Sequence, residues 1–342
     1  MRAHSANVTI KDVARVSGVS AMTVSRVINQ SARVRPDTRR RVEDAIADLG
    51  YVPSRLARGL SRQRTGTLAV IVPDVANPFF TMVVRAAEDV ARRGGYRVIL
   101  CDTRGDLSIE RDVVEELIAH RVEGIVIAPV DNRSSSHLRR LENFGVPVVL
   151  VDRTFPDFEC DAVLGDSVGG AQQLVEHLIS LGHRRIGLIV ETEAVSTARD
   201  RRRGYETALA TAGIPLDPAL VAVDTAVDPA GGYAGMGRLL ELEDRPTAVF
   251  AVNNLVALGA IEAVRDAGLE VPDDVALVCF EDIEYASRLY PFLTALEQPA
   301  GTFGTLATQI LLERIQARGP ARRNVVVLPG EFIVRRSCGA RA

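Results

Sequence analysis

Residues 9–29 read T-I-K-D-V-A-R-V-S-G-V-S-A-M-T-V-S-R-V-I-N. The spacing predicts two short helices joined by a tight turn. Thr9 opens the first: its hydroxyl is available to cap backbone N–H groups, and Asp12 follows three residues later as in a capping box. Ile10, Val13 and Ala14 share one face, and Ser17-Gly18 stops the helix because glycine readily takes the left-handed conformation of a helix end. Ser20 caps the second helix, which runs from Ala21 to Asn29. The small Ala14 lets the helices approach, and Val19, Val24 and Val27 fill the core between them. Ala21, Met22, Ser25, Arg26 and Asn29 then lie together on the opposite face. In a helix-turn-helix that face enters the major groove of DNA. There Arg26 can pair with guanine or phosphate, Ser25 and Asn29 can hold phosphates, and Ala21 and Met22 can meet base edges or thymine methyls.

Working outward, Pro36 sits at a first-turn position of a third helix that runs to Leu49 and ends at Gly50. Val42, Ala45, Ile46 and Leu49 close a three-helix core. The next segment, from Tyr51 to Leu60, is basic, short and interrupted by Gly59, too weak a helix to stand alone in water. Charge supports a polyanionic partner for this region. Residues 1–64 carry thirteen Lys or Arg against five Asp or Glu, a net +8, whereas the remaining residues sum to −11 within a chain whose total is only −3. Cations that neutralise phosphates release counterions, so a basic head on an acidic body suits nucleic acid.

The runs T-I-K-D-V-A, G-V-S-A-M-T-V-S-R-V-I-N and Y-V-P-S-R-L-A-R-G-L, in this order, resemble the headpiece and hinge of the LacI/GalR family of bacterial transcription regulators. The resemblance implies a helix-turn-helix domain over 1–52, a hinge and linker over 53–65, and a two-lobed core over 66–342. It implies DNA contacts from Thr9, Ser20, Ala21, Met22, Thr23, Ser25, Arg26, Asn29, Tyr51, Arg55 and Leu60. The base-reading positions fall on Ala21 and Met22. Leu60 takes the place of a leucine that wedges into the minor groove when two hinges fold side by side on operator DNA, an unstacking that bends the duplex. A homodimer on a palindromic operator follows. The C-terminal run 335–342 has no leucine heptads to join dimers.

Beyond the polar connector 61–66 the pattern changes to short apolar strands alternating with helices, as in a parallel α/β sheet. Strands at Leu68–Pro73, Arg97–Cys101, Gly124–Ala128 and Val146–Val151 alternate with helices at Phe79–Gly94, Ile109–His120 and Ser136–Phe144. A second set follows, with helices at Ala171–Leu181, Gly204–Gly213, Ala230–Leu242 and Leu255–Ala267. Its strands are Arg185–Val190, Leu220–Val223, Ala248–Val252 and Val275–Phe280. Two doubly wound lobes result, with a ligand between them at the C-terminal ends of the strands. The family's core is similar to a periplasmic sugar-binding protein and crosses between lobes three times. That implies lobe 1 over about 66–165 and 295–322, and lobe 2 over about 166–294 and 323–342.

The cleft candidates follow strand ends: Asp74, Asn77, Phe79 and Phe80 after the first strand, Asp152 and Arg153 after Val151, Phe250 and Asn253 at the end of 248–252, and Glu281 after Phe280. Arg201 is carried over from the family by its place before Gly204. Carboxylates, amides and guanidinium groups can bind hydroxyls in pairs, and Phe79 can stack on an apolar sugar face. Glu281 stands where the family usually has aspartate, which predicts a slightly smaller pocket. Val195 replaces the basic residue of purine-binding relatives, which disfavours a purine and leaves a sugar or related polyol.

Two other classes share features with this sequence. Gly165-Asp166-Ser167-Val168-Gly169 matches the G-x-S-x-G of a serine esterase, but the segment Phe155–Asp161 before it reads as polar and irregular instead of as the buried strand an elbow needs. A transport-system sugar-binding protein would share the lobes but not the basic head. P-loop and H-E-x-x-H motifs are absent, and the four scattered cysteines form no C-x-x-C pair, so neither enzyme, cofactor nor metal is expected. No apolar run nears the roughly 20 residues of a membrane span, and the N-terminus lacks the apolar core of a signal peptide, which predicts a cytoplasmic protein.

Overall fold

A computed structural model describes residues 8–28, 34–51, 65–224, 228–317 and 322–340. The chain forms two compact units, Met1–Thr65 and Gly66–Ala342. In the first, α1 (Ile10–Ser17), α2 (Ala21–Ile28) and α3 (Pro36–Leu49) enclose Val13, Ala14, Val24, Val27, Val42 and Ala45. The Asp12 carboxylate accepts from the N–H of Thr9 at 3.0 Å and from its hydroxyl at 2.7 Å, bonds that hold its pKa below the usual carboxylate range. Gly18 turns the chain at φ +66°. The Ser20 hydroxyl accepts from the N–H of Thr23 at 3.2 Å. Arg41 on α3 donates to the Ser17 carbonyl from Nε at 3.2 Å and Nη2 at 2.6 Å, and so places a cation on the C-terminal end of α1. This arginine is a clamp of the three-helix fold.

Among the described residues the second unit contains two six-stranded sheets. Their elements, in chain order, are β1 (Thr67–Val72), α4 (Pro78–Arg93), β2 (Arg97–Asp102), α5 (Leu107–Ala119), β3 (Ile125–Ile127), α6 (Ser136–Asn143), β4 (Val148–Val151) and β5 (Asp161–Gly165). The chain continues through α7 (Ser167–Ser180), β6 (Ile186–Glu191), α8 (Ser196–Thr211), β7 (Val221–Asp224), α9 (Pro229–Leu240), β8 (Ala248–Ala251), α10 (Asn254–Asp266) and β9 (Ala276–Phe280). It ends with α11 (Glu284–Leu289), β10 (Thr294–Glu297), α12 (Ala300–Gln316), β11 (Val325–Leu328) and β12 (Glu331–Ile333). The first sheet runs β11-β5-β4-β3-β1-β2 and is parallel throughout; the second runs β12-β10-β9-β8-β6-β7, with only β12 antiparallel. Parallel strands need covered faces. Along β1, Leu68, Val70 and Val72 face one apolar cluster while Ala69 and Ile71 face another.

Several expectations are corrected. Asp161–Gly165 is a strand whose signal is hidden by its opening aspartate; Asp161 is buried because Arg314 grips it at 2.5 and 2.7 Å and the Asn324 N–H reaches it at 2.7 Å. Those bonds also seat β11 beside β5, so Val325–Leu328 belongs to the first lobe, not the second. Conversely, β10 pairs with β9 in the second sheet, so 294–297 does not return to the first. The segment before β5 is not polar inside: Phe155 and Phe158 are both buried, edge to face. Helix α8 starts at Ser196 instead of Gly204, since S-T-A-R-D-R-R-R lacks apolar periodicity yet buries Ser196, Thr197 and Arg201.

The chain returns to the first lobe through α12, which packs on α4 by backbone approach. A Cβ at Gly304 would lie 2.1 Å from the Val83 carbonyl oxygen. Gly304→Ala is therefore expected to cost about 1–3 kcal/mol through overpacking, read as a lower urea midpoint with unchanged slope.

Candidate functional site

The two lobes point the C-terminal ends of their strands at a shared cleft, with a cavity of about 660 Å³. It is lined from the first lobe by Asp74, Asn77, Phe80, Arg104, Val130, Asp131, Arg133 and Arg153, and from the second by Glu191, Thr192, Ala194, Val195, Asp228, Asn253 and Leu255. At its base a small recess brings together Phe79, Asp152, Thr197, Arg201 and Glu281 with Asn77, Phe80, Arg153, Glu191 and Asn253. Nine of the ten sequence-derived cleft residues thus converge. Phe250 does not: it is fully buried in the core of the second lobe. Phe79 reaches only the recess and is otherwise locked edge to face against Phe80 and Phe303, so Phe80 is the aromatic wall of the main cavity.

Asp152 follows β4 and Glu281 follows β9, the corresponding strands of the two sheets, and each has left-handed backbone, φ 65° and 76°. Each N–H bonds the next strand, Asp152 to the Val163 carbonyl and Glu281 to the Leu296 carbonyl, both at 2.9 Å. Such backbone in a residue with a Cβ costs of order 1–3 kcal/mol and persists where packing enforces it. Here it turns a carboxylate into the cleft from either side. Asn77 and Asn253 cap α4 and α10 by accepting from Phe79 and Val256 N–H groups at 3.0 and 2.8 Å. Asp228 caps α9 in the same way, through Gly231 at 2.9 Å.

The guanidinium of Arg201 lies over the Phe280 ring, 3.8 Å from its centroid, donates to the Val252 carbonyl at 2.7 Å and approaches Glu281 at 3.9 Å. Arg153 donates to the Pro129 and Val130 carbonyls at 3.0 Å, faces Asp152 at 3.6 Å and stands over Phe80 at 6.0 Å. Gln298, between β10 and α12, donates to Glu281. Among the described residues, three buried atoms of the recess have no hydrogen-bond partner: Arg201 Nε, Glu191 Oε2 and Arg153 Nε, the last of which keeps only its 3.6 Å approach to Asp152. Burial raises the Glu281 pKa to about 7, against the pull of Arg201 and Gln298. Burial raises that of Glu191 as well.

Glu191, Gln298 and Arg104 were not expected. Glu191 ends β6, so the strand-end rule finds it once the strand is extended by one residue past Val190. Gln298 and Arg104 carry no local signal.

On the head, Met22 is 67% exposed and Arg26 lies beside it, with Nη2 3.6 Å from the Met22 sulfur. Ser25 is half-buried, and Ala21 and Tyr51 are turned partly into the head core. Thr9 and Ser20 hydroxyls make the capping contacts above, and the Ser20 hydroxyl lies 3.0 Å from that of Thr23. Asn29, Arg55 and Leu60 lie outside the described residues.

Ser167 is preceded directly by β5, contrary to expectation, so the elbow's strand exists. The two histidines after it have other partners: His177 Nε2 meets Cys338 Sγ at 3.3 Å and His183 Nδ1 meets the Thr247 hydroxyl at 2.9 Å. Ser167 itself is buried at the first turn of α7. Among the described residues no group of three or more His, Cys, Asp or Glu could hold a metal, and no helix is long and apolar enough to cross a membrane.

A family model described as bacterial regulatory proteins, lacI family, matches residues 9–54, and one described as a periplasmic binding protein-like domain matches 175–338. The HTH-type transcriptional repressor PurR of Haemophilus influenzae (strain PittEE) is 37% identical over 333 residues, 96% of this chain and 98% of its own. The ribose operon repressor of Haemophilus influenzae is 35% identical over 321 residues, 94% and 96% of the two chains. Among solved structures, the lac repressor dimer bound to operator and the anti-inducer ONPF superposes with a TM-score of 0.84 at 29% identity, covering 98% of this chain and 100% of that one. A complex of the transcriptional regulator CelR with cellobiose gives 0.73 at 32%, covering 96% and 99%.

The proton on Glu281 gives a pH signature. The folded state keeps a proton that the unfolded chain releases near 4.5, so stability falls as pH rises from about 4.5 to about 7 and levels off above. Glu191 adds a slope of the same sign. Glu281→Gln should flatten that decline by on the order of 2–3 kcal/mol between pH 4.5 and 7.5, measured by urea unfolding; an unchanged slope would show that Glu281 titrates normally.

Proposed function

The chain belongs to the lacI family of bacterial regulatory proteins, and on that premise we propose that it is a repressor that binds a two-fold symmetric operator as a homodimer and is switched by a sugar-type polyol in the cleft. The observation that carries the effector assignment is the trio of atoms around the recess that lack a hydrogen-bond partner among the described residues, Arg153 Nε, Arg201 Nε and Glu191 Oε2. A buried polar atom without a partner costs about 1–3 kcal/mol. A hydroxyl donates and accepts at once, so neighbouring hydroxyls on one ring can satisfy two guanidinium donors and a carboxylate acceptor together. Val195 in the wall offers a purine no side-chain hydrogen bond. The cavity lies within the roughly 300–1,000 Å³ usual for small-molecule sites.

A second copy of the chain is the partner that suits the exposed apolar residues on the edge strands, Ile99 and Leu100 on β2 and Val223 on β7. Edge strands bearing apolar side chains otherwise invite aggregation. The likeness to the lac repressor dimer over nearly the whole chain supports the same assignment. On DNA, Arg26 pairs with guanine, Met22 contacts a thymine methyl, and Leu60 acts as the minor-groove wedge. Effector binding shifts the lobes between arrangements that space the two hinges differently, and it does so only by as much as its affinities for the two arrangements differ. The transport reading has no use for the family's DNA-binding segment at 9–54.

Selection from random duplexes should yield palindromic sites. Arg26→Ala should lower affinity for the selected site tenfold or more, in keeping with about 1–3 kcal/mol for one bidentate base contact, and Leu60→Ala should weaken it as well. Asymmetric sites, or an unchanged affinity of Arg26→Ala, would contradict the proposal. In thermal-shift titrations D-ribose, D-glucose or cellobiose should raise the Tm where hypoxanthine does not, by an increment that grows with ligand concentration. Arg201→Ala should abolish the shift.

A further inference from the structure

Behind the first-lobe wall of the cleft lies a polar pair that lines neither cavity nor recess. Glu110 on α5 has no exposed surface, and His137 on α6 is 5% exposed. His137 Nε2 sits 2.7 Å from Glu110 Oε1, while Glu110 Oε2 accepts from the N–H of Val130 at 2.7 Å. That N–H belongs to the Pro129–Val130 peptide unit. The carbonyl of the same unit, that of Pro129, accepts from Arg153 Nη1 at 3.0 Å, as does the Val130 carbonyl. One peptide plane therefore stands between a buried carboxylate and the cleft guanidinium, its N–H polarised by the first and its C=O by the second, and such chained hydrogen bonds strengthen one another. Two residues further on, the N–H of Asn132 crosses to the second lobe and bonds the Ala194 carbonyl at 2.8 Å.

We propose that Glu110 and His137 are positioning residues of the effector response: they hold the 129–133 loop so that Arg153 faces the recess and Asn132 meets the second lobe. Stability alone does not explain the pair. A buried ionic or polar pair is often no more stabilising than apolar side chains of the same volume, and here His137 Nδ1 and the neighbouring Ser135 hydroxyl are left buried without partners. What the pair supplies is direction. Between Ala128, which still bonds the Ile71 carbonyl, and α6, the loop has no strand partner among the described residues, and its hydrogen bonds to the first lobe's interior run through Glu110 and Arg153. A leucine at 110 would fill the space and leave the Val130 N–H unclaimed.

This inference rests on the cleft being the effector site, but its test uses no effector and so fails or succeeds separately from the ligand titrations. Amide exchange is measured by NMR on the full-length protein, the doubly apolar Glu110→Leu/His137→Phe variant and Glu110→Gln. The apolar variant should speed exchange at both Val130 and Asn132 at least tenfold, leave the β3 and β4 amides within twofold, and shift the Arg153 Nε–H resonance, identified by its loss in Arg153→Lys. Glu110→Gln keeps an oxygen for Val130 and should restore both amides to within threefold of the parent. Faster exchange confined to Val130, loss of protection throughout the first lobe, or a Glu110→Gln variant no better than the apolar pair would overturn the proposal. Should the apolar pair not fold, Glu110→Ala carries the same expectations and the same refutations.

Discussion

Charge buried between two sheets is the constraint around which the larger unit is arranged. Asp152, Glu191, Arg201 and Glu281 are each less than a tenth exposed, and the Arg153 side chain little more so. Unpaired, such groups would cost several kcal/mol each. The fold meets this in three ways. Guanidinium groups are tied to backbone carbonyls at Val252, Pro129 and Val130; helix-capping asparagines ring the site; and Glu281 takes up a proton readily, which removes its charge. Satisfaction is nevertheless incomplete, and among the described residues Arg153 Nε, Arg201 Nε and Glu191 Oε2 lack hydrogen-bond partners around one recess. Donors and an acceptor held in that way suit a third component that supplies both, as the proposed polyol would.

The two lobes solve this problem with the same parts. Their sheets have matching strand orders, and the fourth strand in chain order of each ends in a carboxylate with left-handed backbone tied to the following strand. Departures from this symmetry mark where the lobes differ in task. The first lobe carries the unstranded loop 129–133, backed by Glu110 and His137, whereas the second buries Arg201 on the inner face of a long helix. A ligand touching Arg153 and Arg201, as proposed, would therefore engage a loop in one lobe and a helix in the other.

Much of this was legible in the sequence where local chemistry decides it. The capping residues Thr9 and Ser20, the glycines at 18 and 50, and the valines at helical spacing specify the head to within a residue. Strand-end polar residues that line the cleft were legible because parallel strands are uninterrupted apolar runs and the residues after them stand at the mouth of the sheet. What stayed hidden depends on distant partners. Asp161 reads as a loop residue until Arg314, more than 150 positions away, neutralises it, and β11 cannot be assigned to a lobe until that bond places it beside β5. The start of α8 is invisible because its buried face is polar by purpose. Phe250 misled for the opposite reason: alternation along β8 sends it into the core while Asn253 reaches the cleft.

The near-neutral net charge is the least informative number in the sequence and the most informative once divided. An excess of +8 in the first 64 residues favours approach to phosphate, and −11 in the remainder opposes it. That partition supports placing DNA contact in the basic head. For the homodimer proposed above, a change in the spacing of two heads would then be enough to alter binding. On the function proposed above, the charge partition and the buried cleft would serve one switch, the first confining DNA contact to the head and the second responding to a neutral ligand.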